Sequence, residues 1–111
     1  MIAVELAPDA RVELEAIPAR ERYAVNSAID KLRELGDALG YPHSSAVKEA
    51  PGLRELRPRQ GRSPWRAFYG RAGDRVFVVA AIGPEAHHNP RAFRRAVAVA
   101  LERLAELEQT P

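Results

Sequence analysis

The chain contains no cysteine, which excludes disulfides, thiolate metal sites and a cysteine nucleophile. It also lacks any apolar run near the roughly 20 residues that a membrane-spanning helix needs. Glu5 interrupts the N-terminal apolar residues too early for a secretory signal, so a cytoplasmic location away from the membrane is expected. Histidine is scarce: His43, His87 and His88 are the whole complement, without His-x-x-x-His spacing, and no metal or other cofactor is expected. Lysine is missing from residues 51–95. That stretch holds ten arginines against three carboxylates (Glu55, Asp74 and Glu85), whereas residues 1–50 carry six Lys/Arg against nine Asp/Glu. The guanidinium fork matches phosphate geometry, so the arginine-rich middle of the chain points to a polyanionic partner such as nucleic acid.

The 111 residues suit one domain spanning 1–111, and no internal repeat or low-complexity tract divides them. Ile2–Leu6 reads as a short edge strand ended by Pro8. Asp9 is placed to cap a first helix over Ala10–Ala16, which Pro18 stops. From Ala19 to Leu39 apolar residues recur at three- and four-residue steps, which predicts an amphipathic helix and hence a helical hairpin. Residues 41–52 read as a loop. The period then changes. Residues 53–58, 64–71 and 75–82 read as three strands, the last apolar on both faces and therefore central. Gly83-Pro84 ends it. Asn89 and Pro90 open a final helix with Phe93, Val97, Leu101, Leu104 and Leu107 on one side. The expected fold class is α+β: a small antiparallel sheet, made of an N-terminal edge strand and a three-strand meander, packed by the hairpin and the C-terminal helix.

Four segments carry a family resemblance: Gly52-Leu53-Arg54-Glu55-Leu56-Arg57, Trp65-Arg66-Ala67-Phe68-Tyr69, residues 75–82, and Asn89-Pro90-Arg91-Ala92-Phe93. Together they resemble the RelE/HigB-like toxin superfamily, in its phage-derived toxin-like branch, over nearly the whole chain. The resemblance implies the toxin of a type II toxin–antitoxin pair that cuts mRNA on the ribosome without a metal. It implies as partners a helix-turn-helix antitoxin, in a hetero-oligomer, together with ribosome and mRNA. Arg57 and Arg66 match positions that bind the scissile phosphate in that superfamily. Where the branch carries lysines after its central strand, this chain has Pro84, Glu85 and His88.

Metal-free RNA cleavage needs a base for the ribose 2′-hydroxyl, an acid for the leaving oxygen and cations for the phosphate. Imidazoles suit proton transfer near neutral pH, and His87 and His88 sit before a helix N-terminus, where anions are favoured. The expected catalytic set is therefore Arg57, Arg66, His88 and His87, with Glu55 either paired to a neighbouring arginine or acting as the base. Arg54, Arg59, Arg62, Arg71, Arg75 and Arg91 are expected to form the surrounding RNA-binding surface; Arg94 and Arg95 also open the last helix, and Trp65 and Tyr69 are either stacking or core aromatics. Two other functions fit the same resemblance: a ParE-like inhibitor of DNA gyrase, and a catalytically inactive protein kept for antitoxin or operator binding.

Overall fold

The computed structural model describes residues 2–109. Its elements run β1 (Ala3–Leu6), α1 (Pro8–Ala16), α2 (Ala19–Leu35), β2 (Ser44–Ala46), β3 (Arg54–Leu56), β4 (Trp65–Arg71), β5 (Val76–Pro84) and α3 (Pro90–Gln109). The five strands form one sheet in the order β1-β5-β4-β3-β2. The α+β class and the β3-β4-β5 meander are as expected from the sequence. Two features go beyond that expectation. The sheet is mixed, because β1 lies parallel to β5, with Ala3 opposite Val76 and Leu6 opposite Val79. A fifth strand, β2, crosses the segment read as a loop and pairs antiparallel with β3.

Helices cover both faces. On one, α1 and α2 bury Leu14, Val25, Ile29 and Leu32 against Val4, Leu56, Tyr69 and Val79. On the other, α3 buries Phe93, Val97 and Ala100 against Leu53, Phe68 and Ala80. At about 25 cal/mol per Å² of apolar area, these two layers are the main source of stability. The buried side of α3 is rotated from the expected stripe: Leu101 and Leu107 are exposed, and Ala100 takes the inward place.

Element ends depart from the expected ones for local reasons. α1 begins at Pro8, with Ala7 as N-cap, because proline fits the first helical position; Asp9 lies inside the first turn. α2 stops at Leu35, since Gly36 takes φ +53° and a 3-10 turn follows over Gly36–Ala38. β5 runs on through Gly83-Pro84, whose pairing with Arg66 and Trp65 continues the ladder. Asn89 caps α3 as expected: its Oδ1 accepts from the Ala92 N–H at 3.1 Å.

Candidate functional site

The β3–β4 register sets Glu55 opposite Phe68 and Leu56 opposite Ala67, so one further step brings Arg57 opposite Arg66. Leu56 and Ala67 enter the α1/α2 core, and alternation therefore turns Glu55 and Arg66 toward the α3 face. There Glu55 Oε1 lies 3.8 Å from Arg57 Nη1 and 3.7 Å from Arg66 Nε, and accepts from Ser45 Oγ at 3.4 Å. The two catalytic arginines expected from the sequence are thus brought together, with Glu55 between them.

Their situations differ. Arg66 is 3% exposed. Its Nη1 donates to the carbonyls of Ser63 (2.8 Å) and Trp65 (3.0 Å), and its Nη2 to that of Gly61 (3.4 Å). Its Nε is buried with no hydrogen-bond partner. The Arg66 side chain thus ties down the 61–65 segment, and only Nε is turned toward the carboxylate. Arg57 is more open. Its Nε donates to the Pro42 carbonyl at 3.1 Å and its guanidinium lies 4.9 Å from the centre of the Tyr41 ring. It also lies over Gly61, where φ is +92° and a Cβ would collide with the guanidinium.

Burial pushes the Glu55 carboxyl above the usual carboxylate range, against the opposing pull of Arg66 and Arg57. Burial likewise lowers the Arg66 guanidinium, with Glu55 opposing. Both shifts run against ionisation, so the pair is held charged in a place that disfavours charge. A carboxylate in that state accepts a proton more readily than a solvated one.

The expected histidines stand at the same end of the sheet, because Pro84 pairs with Trp65 and the chain turns there toward α3. Glu85 shapes the turn: its N–H donates to Pro64 O at 2.8 Å and its Oε2 accepts from His87 N at 3.1 Å. His87 and His88 are exposed, and among the described residues neither ring has a hydrogen-bond partner.

The expected ring of six further arginines is not one surface. Arg71 and Arg75 lie at the opposite end of β4 and β5 from Arg66, about 15 Å away along the strand. Arg71 is paired there with Asp37 and stacked on Phe77. Arg54 falls on the other face and donates to Ser44 Oγ, which in turn bonds the buried Tyr69 hydroxyl. Tyr69 is therefore a core residue, and Trp65, partly buried, packs against the α1/α2 core. Arg59 is paired with Glu21 at 2.8 Å. Arg62 and Arg91 are exposed, the latter in the first turn of α3. His43 gives its carbonyl to the Arg57 N–H at 2.8 Å. Pairing alone would have shown Arg57 beside Arg66, but the burial of Arg66 depends on the 58–64 loop folding back over it.

This arrangement of a mixed five-stranded sheet, a helical hairpin and a C-terminal helix is the fold of RelE toxins. The structure is similar to that of an arginine-substituted E. coli RelE toxin in the free state (TM-score 0.60, 15% identity, covering 87% of this chain and 95% of that one). It is similar to the isolated E. coli RelE toxin (TM-score 0.60, 14% identity, covering 86% and 98%). It also resembles the archaeal RelE-RelB complex from Pyrococcus horikoshii (TM-score 0.53, 16% identity, covering 75% and 93%). No curated protein matches the sequence closely enough to count. Residues 12–105 match the family described as Phage derived protein Gp49-like (DUF891), and the chain belongs to that family.

Proposed function

We propose that this protein is the toxin of a toxin–antitoxin pair and that it cuts ribosome-bound mRNA in the cytoplasm without a metal. The observation that carries the reading is the partly buried Glu55 carboxylate held between Arg57 and Arg66, at the end of the sheet where His87 and His88 are exposed. In this reading Glu55 takes the proton of the ribose 2′-hydroxyl. The oxygen attacks the adjacent phosphorus, and Arg57 offsets the charge gathered on the phosphate. His88 (or His87) gives a proton to the departing 5′-oxygen. The products are a 2′,3′-cyclic phosphate and a 5′-hydroxyl. Arg66, with its Nη atoms engaged, acts by positioning Glu55 and the 61–65 segment. The similarity to the archaeal RelE-RelB complex supports an antitoxin partner.

The test is expression of the chain alone in a bacterial host, with primer extension on cellular mRNA. Growth arrest with discrete mRNA cuts, both lost in Glu55→Gln and in His87→Ala/His88→Ala, is the expected result. Intact mRNA from folded, abundant protein overturns the nuclease reading. One observation favours a second reading: Arg66 is 3% exposed and spends three of its four Nη hydrogens on backbone carbonyls, which leaves little of its fork for a phosphate. A ParE-like protein needs no such donor, and loss of DNA gyrase supercoiling with mRNA intact would support that role.

A further inference from the structure

A groove of about 280 Å³ lies between α2 and the 58–62 turn, on the face of the sheet away from α3. Its floor is apolar, formed by Ala24 and Ala28 with Leu39 and Pro58. Lys31, His43, Arg57, Arg59 and Arg62 line its walls, and among the described residues no carboxylate does. Arg59 is neutralised from outside by Glu21. Lys31 and Arg62 are exposed and have no acidic partner among the described residues. Tyr23, 77% exposed, stands on the α2 rim of the groove; Tyr41, 75% exposed, lies outside the lining, against Arg57.

An apolar floor open to water and a wall of like charges are each unfavourable alone. A ligand that is both anionic and flat relieves the two together. The volume is near the lower end of small-ligand sites, about 300 Å³, which suits a single base with its sugar and phosphate. Exposed aromatic rings beside arginines are the usual platform for unpaired bases. An acidic protein segment would satisfy the cations, but each nucleotide brings a flat ring and a phosphate together, which is the pairing this groove offers.

We propose that this groove holds one nucleotide of single-stranded RNA, the base against Tyr23 and the apolar floor, the phosphates among Lys31, Arg57 and Arg62. The inference rests on the reading of the chain as an RNA-cutting protein and extends it. Arg57 borders both the groove and Glu55, so the RNA strand passes from the groove around the end of β3 to the carboxylate.

The test is fluorescence anisotropy with a fluorescein-labelled oligouridylate of about ten nucleotides. Lys31→Glu/Arg62→Glu is expected to weaken binding at least about tenfold and to flatten the salt dependence by about two phosphate contacts. Tyr23→Ala is expected to weaken it by about fivefold to a hundredfold, and Tyr23→Phe to restore it. Arg11→Glu/Lys48→Glu, the same charge change outside the groove, should leave binding within about twofold of the parent. Circular dichroism and thermal melts establish that each variant is folded. Equal losses in groove and control variants overturn the proposal, as does the absence of RNA binding by the unaltered protein. Competition by an oligoglutamate peptide as strong as that by RNA overturns it in favour of an acidic protein segment. If the groove variants keep their RNA affinity while the parent cuts mRNA in cells, the groove fails and the cutting stands. RNA bound through the groove by a protein that leaves mRNA intact gives the converse.

Discussion

Glu55 Oε1 stands 3.7 Å from the Nε of Arg66, a buried nitrogen that no hydrogen bond satisfies. That separation is too long for a hydrogen bond and short enough for strong Coulombic attraction in a site shielded from water. Replacing Glu55 with glutamine removes the charge that balances Arg66 and Arg57. Because burial costs the carboxylate more than the two arginines return, the neutral amide should leave stability unchanged or slightly higher near neutral pH, with the Arg66 Nη atoms still held by their carbonyls. RNA cutting should fall by about 10²- to 10⁴-fold. Urea titration and primer extension measure the two effects separately.

The same carboxyl predicts a pH dependence. Its folded pKa is raised, so the folded state binds the proton more tightly than the unfolded chain. Stability from this group is therefore greatest below the unfolded value of about 4.3 and declines as pH rises through the folded value. Cutting should do the reverse, rising as Glu55 ionises, with an acid limb displaced above the ordinary glutamate range. An acid limb at the ordinary position would remove Glu55 as the base.

Glu21 behaves oppositely. Its Oε1 accepts from Ser63 Oγ and Arg59 Nη1, each at 2.8 Å, and the Ser63 bond lowers its pKa, with Arg59 adding to the effect. The stability it supplies is present above about pH 4.3 and is lost as pH falls through the lower folded value. Glu21→Gln should cost about 0.5–1.5 kcal/mol and speed amide exchange at residues 59–63, where Arg59 and Gln60 hold positive φ. Unchanged exchange in that turn would show that Glu21 does not clamp it.

Beyond Val79, β5 has no strand beside it on the β1 side, and side chains take over. Glu13 Oε1 accepts from the Ile82 N–H at 3.0 Å, and Arg103 Nη1 donates to Ala80 O at 2.8 Å. The two side chains also pair with each other at 2.8 Å, which holds the Arg103 guanidinium further into its charged form. Glu13→Ala leaves the Ile82 N–H without its acceptor and takes the nearest carboxylate from the partly buried Arg103 guanidinium, which keeps the Ala80 carbonyl. A loss of about 2–3 kcal/mol is expected, seen as a lower denaturation midpoint at unchanged slope. A loss below about 0.5 kcal/mol would mean that water replaces the carboxylate.

Gly83 is where α3 comes closest to the sheet: a Cβ there would stand 2.5 Å from the Ala96 Cβ and 3.3 Å from the Phe68 ring. Gly83→Ala should cost about 1–3 kcal/mol by thermal melting, and Ala96→Gly in the same chain should recover part of it. Additive losses in the double variant would rule out that contact as the cause.

Much of the fold was legible because it is local. Asn89-Pro90 marks the start of α3, Pro18 separates two helices, and the change from helical to alternating period locates the meander. β2 was not legible: Ser44, Ser45 and Ala46 are too few and too polar to show alternation, and they become a strand only because β3 offers an edge. The parallel set of β1 was hidden for a similar reason, since its partner lies at the far end of the sequence. In the site, the closeness of Arg57 and Arg66 followed from a hairpin of known hand. The burial of Arg66, the clamp from Glu21 and the Glu13–Arg103 cap join residues distant in sequence, and no local pattern reports them.

The pairing of β1 with β5 bears on when the protein comes to exist during its synthesis. Residues 3–6 leave the ribosome well before residues 76–79, the strand they need. Loop closure over that span makes the pairing a slow, late event in folding. The α1/α2 core needs Val79 and Tyr69 as well, so the hairpin has no sheet to pack on until then. A nascent chain therefore carries the arginine-rich segment for most of its synthesis without the architecture that organises it, and completes that architecture only once β5 has emerged.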